Sequence, residues 1–295
     1  MRLIHGRRSL LIGATSASLS GLLSTLTDLA NAQGPTRRLP VIFVGHGSPM
    51  NAVSDNPFTR ALQAWGAALP RPSAILSISA HWLTPGQTLV TVDEHPKTIH
   101  DFGGFPRELH EMQYPAPGAP RLAREAASRV KQSLAQGSDQ WGLDHGTWSV
   151  LHHMFPKADI PVFQLSIDYA KPGAFHHAVG RDLSALRDKG VLIMGSGNVV
   201  HNLRATDRGA PVGLTASRPW AQAFDDAFKS ALSQRDDKAL MNYTQLPGAE
   251  TAVATPDHYY PVLYSIGAAA PNEVAKTVFE GFHAGTLSMR CLQFS

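Results

Sequence analysis

The 295-residue chain has one cysteine, Cys291. That scarcity rules out an internal disulfide and any metal site built on thiolates. Charge is sparse too: 17% of residues are Asp, Glu, Lys or Arg, and the formal net charge is +3. Such a balance calls for neither a nucleic acid nor an anionic membrane surface as partner. Several catalytic signatures are missing. There is no Gly-x-Ser-x-Gly elbow for a nucleophilic serine, no Walker loop and no His-Glu-x-x-His pair. Gly45-His46-Gly47 and Gly195-Ser196-Gly197 both lack the third glycine of a dinucleotide-binding loop.

The N-terminus reads as a leader. Arg7-Arg8-Ser9-Leu10-Leu11 opens a mildly apolar stretch reaching Leu26, and Ala30-Asn31-Ala32 has the small-x-small form of a signal peptidase site. The stretch is short and rich in Ser and Thr, which makes it a poor membrane span. Twin arginines before weak hydrophobicity point to Tat export of a folded protein, with a Sec signal as the alternative. The expected organisation is a signal peptide over residues 1–32 and one domain over 33–295, located in the periplasm or otherwise exported. Removing the leader takes away Arg2, Arg7, Arg8 and Asp28, and the mature form needs no membrane partner.

What the chain has in abundance is histidine, fourteen in all, within an ordinary 43% hydrophobic composition. Four apolar runs predict buried strands at residues 40–44, 74–79, 161–167 and 191–194. Between them, helical periodicity predicts helices at 58–69, 121–135, 175–186 and 219–232. A helix at 148–155 is expected to be capped by Thr147, and one after Thr255-Pro256 to run through Leu263 and Ile266. Alternating strands and helices imply an α/β fold, a central mostly parallel or mixed sheet covered by helices. Residues 95–120 show no period, and their aromatics predict an ordered loop over a substrate.

Each strand runs straight into polar residues. The first meets His46, the second His81, the third Asp168 and the fourth Gly195-Ser196-Gly197-Asn198, with His201 soon after. Ligands in open α/β sheets sit beyond the carboxyl ends of the strands, so parallel strands would gather His46, His81 and His201 at one edge. His258 follows at a helix start, and His145 is expected in a loop before a helix. The remaining histidines read as ordinary core or surface residues, with His176 and His177 solvated at a helix start. Imidazole serves zinc and iron alike. The residues therefore leave three readings open: zinc activating water for hydrolysis, iron(II) binding a chelating substrate with dioxygen, or an exported zinc-binding protein without catalysis.

Six motifs occur together and in order: Gly45-His46-Gly47-Ser48-Pro49, Ser79-Ala80-His81-Trp82, His100-Asp101-Phe102-Gly103-Gly104-Phe105-Pro106, Asp144-His145-Gly146-Thr147-Trp148, Gly195-Ser196-Gly197-Asn198-Val199-Val200-His201-Asn202 and Thr255-Pro256-Asp257-His258-Tyr259. In these the chain resembles the class III extradiol ring-cleavage dioxygenases, in particular the 4,5-DOPA extradiol dioxygenase family. The resemblance implies a LigB-like single domain that cleaves a catechol ring beside its hydroxyls with dioxygen. It implies one divalent metal, Fe(II) for dioxygenase activity or Zn(II) as the bound ion, with His46, His81 and His258 as ligands. His201 matches a position near the metal, as a fourth ligand or an acid/base, and His145 matches a second catalytic histidine. Asp101 is expected to meet an amine on the substrate and Phe102 to stack on its ring.

Overall fold

The computed structural model describes residues 38–207, 209–210 and 213–295; the expected leader lies outside them. The strands are β1 (Val41–Gly45), β2 (Ala74–Ser79), β3 (Thr88–Thr91), β4 (Ala135–Ser138), β5 (Val162–Gln164), β6 (Val191–Gly197), β7 (Leu214–Thr215), β8 (Ala275–Phe279), β9 (Phe282–His283), β10 (Leu287–Ser288) and β11 (Cys291–Phe294). The helices are α1 (Pro57–Ala68), α2 (Arg107–Glu111), α3 (Pro120–Arg129), α4 (His145–Met154), α5 (Gly173–Leu183), α6 (Pro219–Ser233), α7 (Asp237–Met241), α8 (Ala249–Ala252) and α9 (Tyr260–Ala268).

Six strands form the central sheet in the order β5-β2-β6-β1-β11-β8. The first four are parallel, and β11 and β8 add antiparallel pairs, so the sheet is mixed. Every residue of β1, β2 and β6 is buried, because helices cover both faces. Alternate residues part to opposite sides. Val41 and Phe43 join Leu76, Ile193 and Leu263 of α9 in one core, while Ile42 and Val44 join Trp65 of α1 and Trp148 of α4 in the other. Because β1, β2 and β6 point the same way, Gly45, Ser79 and Gly197 end at one edge, as the sequence pattern predicts.

Several boundaries differ from expectation. The strand expected over 161–167 keeps its ladder only at Val162–Gln164, and Leu165 and Ile167 make isolated bridges to Val90 and Leu83. Helix α3 stops at Arg129, six residues short of the expected end, and Ala135 instead opens β4, paired in parallel with β3. Helix α4 begins three residues early. Its cap is Asp144, whose side chain accepts from the Thr147 N–H, and His145 is the first helical residue instead of a loop residue. Among the described residues no helix is long and apolar enough to cross a membrane.

Candidate metal centre

Five histidines converge beyond the carboxyl edge of the sheet. The amide of His46, directly after β1, donates to Gly197 O at 3.0 Å, which ties it to the end of β6. His81 follows the turn at the end of β2. His145 opens α4, and His258 ends a short 3-10 helix, Pro256–His258, with Pro256 at its first position. His201 lies beyond β6 and is held by its backbone N–H to Ala252 O at 2.8 Å. Two glycines permit this crowding. A side chain on Gly197 would place its Cβ 2.2 Å from His258 O, and one on Gly146 would lie 2.6 Å from Ser79 Oγ and 2.9 Å from His81 Cδ2.

Hydrogen bonds fix the rings. The Ser196 hydroxyl donates to Gly146 O at 2.5 Å, so the 3.0 Å contact between His46 Nδ1 and Ser196 Oγ must run from the imidazole N–H to the hydroxyl oxygen. The Asp101 carboxylate accepts from Nδ1 of His145 at 2.9 Å and lies 3.2 Å from Nδ1 of His81. Asp257 takes the same position against Nδ1 of His258. Each of these rings thus meets its partner through Nδ1 and turns Nε2 away from it, the arrangement that orients metal-ligating histidines. Nε2 of His46 and Nε2 of His81 face each other at 3.2 Å. Two lone pairs at that distance repel unless a cation lies between them, and the donor set of neutral imidazoles fits a divalent ion.

Electrostatics keep the donors neutral. Burial, then the neighbouring histidines, holds His46 and His81 well below the ordinary imidazole range. Burial and His258 lower His201 to about 2. Burial alone would raise Asp101, yet its hydrogen bonds to His145 win and leave its carboxyl lowered. Burial is likewise outweighed at Asp257, which His258 brings down to about 2.

Two groups of side chains offer atoms within 4.8 Å of one another: His46, His81 and His145, and His201, Asp257 and His258. They adjoin, since the His46 and His258 ring centroids are 5.3 Å apart and those of His81 and His258 5.0 Å. His201 stacks on His258 at 3.5 Å and 3°, and its ring makes no hydrogen bond among the described residues. All five rings line a cavity of about 490 Å³. Phe102 lines it too, its ring edge-on to His145 at 5.5 Å.

Residues 40–290 match the family described as the catalytic LigB subunit of aromatic ring-opening dioxygenase. The chain belongs to the LigB family. It is accordingly a non-haem dioxygenase, and the hydrolase and non-catalytic readings give way. LigB relatives include a protein from Escherichia coli K12 named 4,5-DOPA dioxygenase extradiol, 46% identical over 260 residues, 87% of this chain and 94% of that one. One of the same name from Beta vulgaris is 37% identical over 86% of this chain and 95% of its own. A crystal structure of an uncharacterised Escherichia coli K12 protein superposes with a TM-score of 0.76 at 40% identity, covering 88% of this chain and all of the other. LigB dioxygenases use a single metal, which suits one centre shared by the two adjoining groups.

The five histidines singled out in the sequence all reach this centre, as do Asp101 and Phe102. Asp168 does not; its carboxylate accepts the Gly86 N–H at 2.7 Å in a turn. Nor is His176 solvated. It is fully buried, with Nδ1 2.9 Å from the Tyr264 hydroxyl, and burial brings it to about 4. The orienting role of Ser196 was not legible, because a strand serine gives no periodic signal.

Proposed function

We propose that this LigB dioxygenase opens the ring of a catechol, DOPA-like or otherwise substituted, beside its hydroxyls, with one divalent ion held by His46, His81 and His258. The observation that carries the reading is the 3.2 Å approach of two unprotonated Nε2 atoms, those of His46 and His81. When bound, the ion supplies the Lewis acidity that draws protons from the catechol hydroxyls and, as iron(II), the redox capacity that activates dioxygen. Both oxygen atoms end in the ring-opened product, so no external reductant is needed.

The chain's own residues handle protons and position. His201 lines the cavity, and among the described residues its ring makes no hydrogen bond, so its nitrogens can face the substrate to take a phenolic proton and return it later. The lack of an orienting partner among the described residues favours proton transfer over ligation, since ligating histidines ordinarily donate their second N–H. His145, held by Asp101 at the same cavity, is the second proton-handling group. Phe102 and Phe105 present apolar surface against which an aromatic ring packs, and exclude water from the reacting face.

The test is oxygen consumption by protein loaded anaerobically with Fe(II), across a panel of catechols. Uptake accompanied by a yellow ring-opened semialdehyde is expected. Hydrolysis of esters or amides by the zinc form, with no oxygen uptake on any catechol, would overturn the proposal.

A further inference from the structure

The sequence suggests Asp101 as a contact for a substrate amine, but its oxygens are already engaged. Oδ1 accepts the backbone N–H of His145 at 2.9 Å. Oδ2 accepts Nδ1–H of His145 at 2.9 Å and lies 3.2 Å from Nδ1 of His81. The two rings stand with centroids 3.9 Å apart. We infer that Asp101 is a positioning residue, a single carboxylate that holds both His81 and His145 as Nδ1–H tautomers and so joins a metal ligand to a proton-handling group.

The segment carrying Asp101 is built for that task. Ile99 N–H donates to Leu143 O and Leu143 N–H to Lys97 O, each at 2.7 Å, and Trp148 Nε1 donates to Ile99 O at 2.8 Å. These bonds strap residues 97–101 along the entry to α4, so the carboxylate and His145 move as one unit. An ionised carboxylate has acceptors only, and here it faces three N–H groups. An amide in its place has one acceptor and a pair of donors. With its NH2 at the Oδ2 position the amide would meet both ring N–H groups, and the histidines would have to reverse and place a proton on Nε2; with its NH2 at the Oδ1 position it would meet the His145 backbone N–H and lose its place against the rings.

This inference rests on the metal reading above for its consequence, but its first test does not. Long-range proton–nitrogen spectra of the metal-free protein near pH 7.5 read ring tautomers directly. His81 and His145 are expected to carry the proton on Nδ1, and in Asp101→Ala, which leaves both rings without this acceptor, at least one is expected to carry it on Nε2. Zinc affinity, measured by competition with a chromophoric chelator, should fall about 10–100-fold in Asp101→Asn and recover in part in Asp101→Glu. The KM for plain and amine-bearing catechols should shift alike, with the loss falling on kcat. Nε2–H tautomers in the wild-type protein would overturn the inference; at His81 they would also remove the lone-pair contact behind the metal reading, while at His145 alone they would leave the ring-cleavage proposal intact. Unchanged zinc affinity in Asp101→Asn, with a KM loss confined to amine-bearing catechols, would also overturn it and return Asp101 to the substrate. Failure of any catechol to support oxygen uptake would instead count against the ring-cleavage proposal while the tautomers stood.

Discussion

At the scale of single residues, the centre depends as much on what is absent at position 146 as on the histidines around it. The Cα of Gly146 lies so close that an added methyl would sit 2.6 Å from Ser79 Oγ, 2.9 Å from His81 Cδ2 and 3.3 Å from His46 Cε1. Gly146→Ala should therefore push two candidate ligands apart. The expected outcome is at least a tenfold loss of metal affinity and turnover, with a stability loss of about 1–3 kcal/mol from overpacking. Zinc titration, oxygen uptake and urea denaturation of the one variant check all three; wild-type affinity would mean that the cluster yields freely. The same crowding explains the charge state of the site, since a proton on one ring is opposed by burial and by every neighbouring imidazole.

Among the secondary-structure elements, α4 is the one whose start matters. Asp144 caps it and also accepts from the Gln164 amide at 2.7 Å and Trp141 Nε1 at 3.2 Å. Asp144→Ala removes the cap and strands the buried Gln164 amide and the half-buried Trp141 N–H, so a cost of about 1–3 kcal/mol is expected in a urea titration. Because His145 is the first residue of that helix, kcat should fall by more than the stability loss accounts for at a temperature where the variant stays folded. The strands β1, β2 and β6 were legible because both faces are covered, which makes each an uninterrupted apolar run. Strand β8 was not: it lies at the sheet margin, half exposed, with Lys276 and Thr277 breaking the run. Arg290 hides the approach to β11, since a buried arginine looks like a surface residue until its partner Asp225 is known. The start of α4 is ambiguous in sequence for a related reason, as Asp144 and Thr147 are both good caps and only packing selects one. His176 reads as a surface residue in sequence because the tyrosine that receives it lies 88 residues away.

Over the whole molecule, buried neutral histidines set the acid limit. His46, His81, His176, His201 and His283 are all lowered from 6.5, by burial first. The folded state refuses protons that the unfolded chain accepts below that value, so stability is complete above about pH 6.5 and falls as pH drops. For His176 and His283, both brought to about 4, the loss spans roughly pH 6.5 to 4. Each contributes about 1.4 kcal/mol per pH unit within that window. The urea midpoint of metal-free protein should be clearly lower at pH 5.5 than at 7.5; equal midpoints would contradict this assignment.

The ligands proposed for the ion come from β1, β2 and the entry to α9, segments far apart along the chain that meet only where the strands end. An ion held by all three is a dissociable cross-link that closes most of the domain into one loop. Chelation would then do more than stop the chemistry: it would release that loop, lower the threshold for unfolding and expose the chain to proteases. The working lifetime of the protein would follow the supply of its metal.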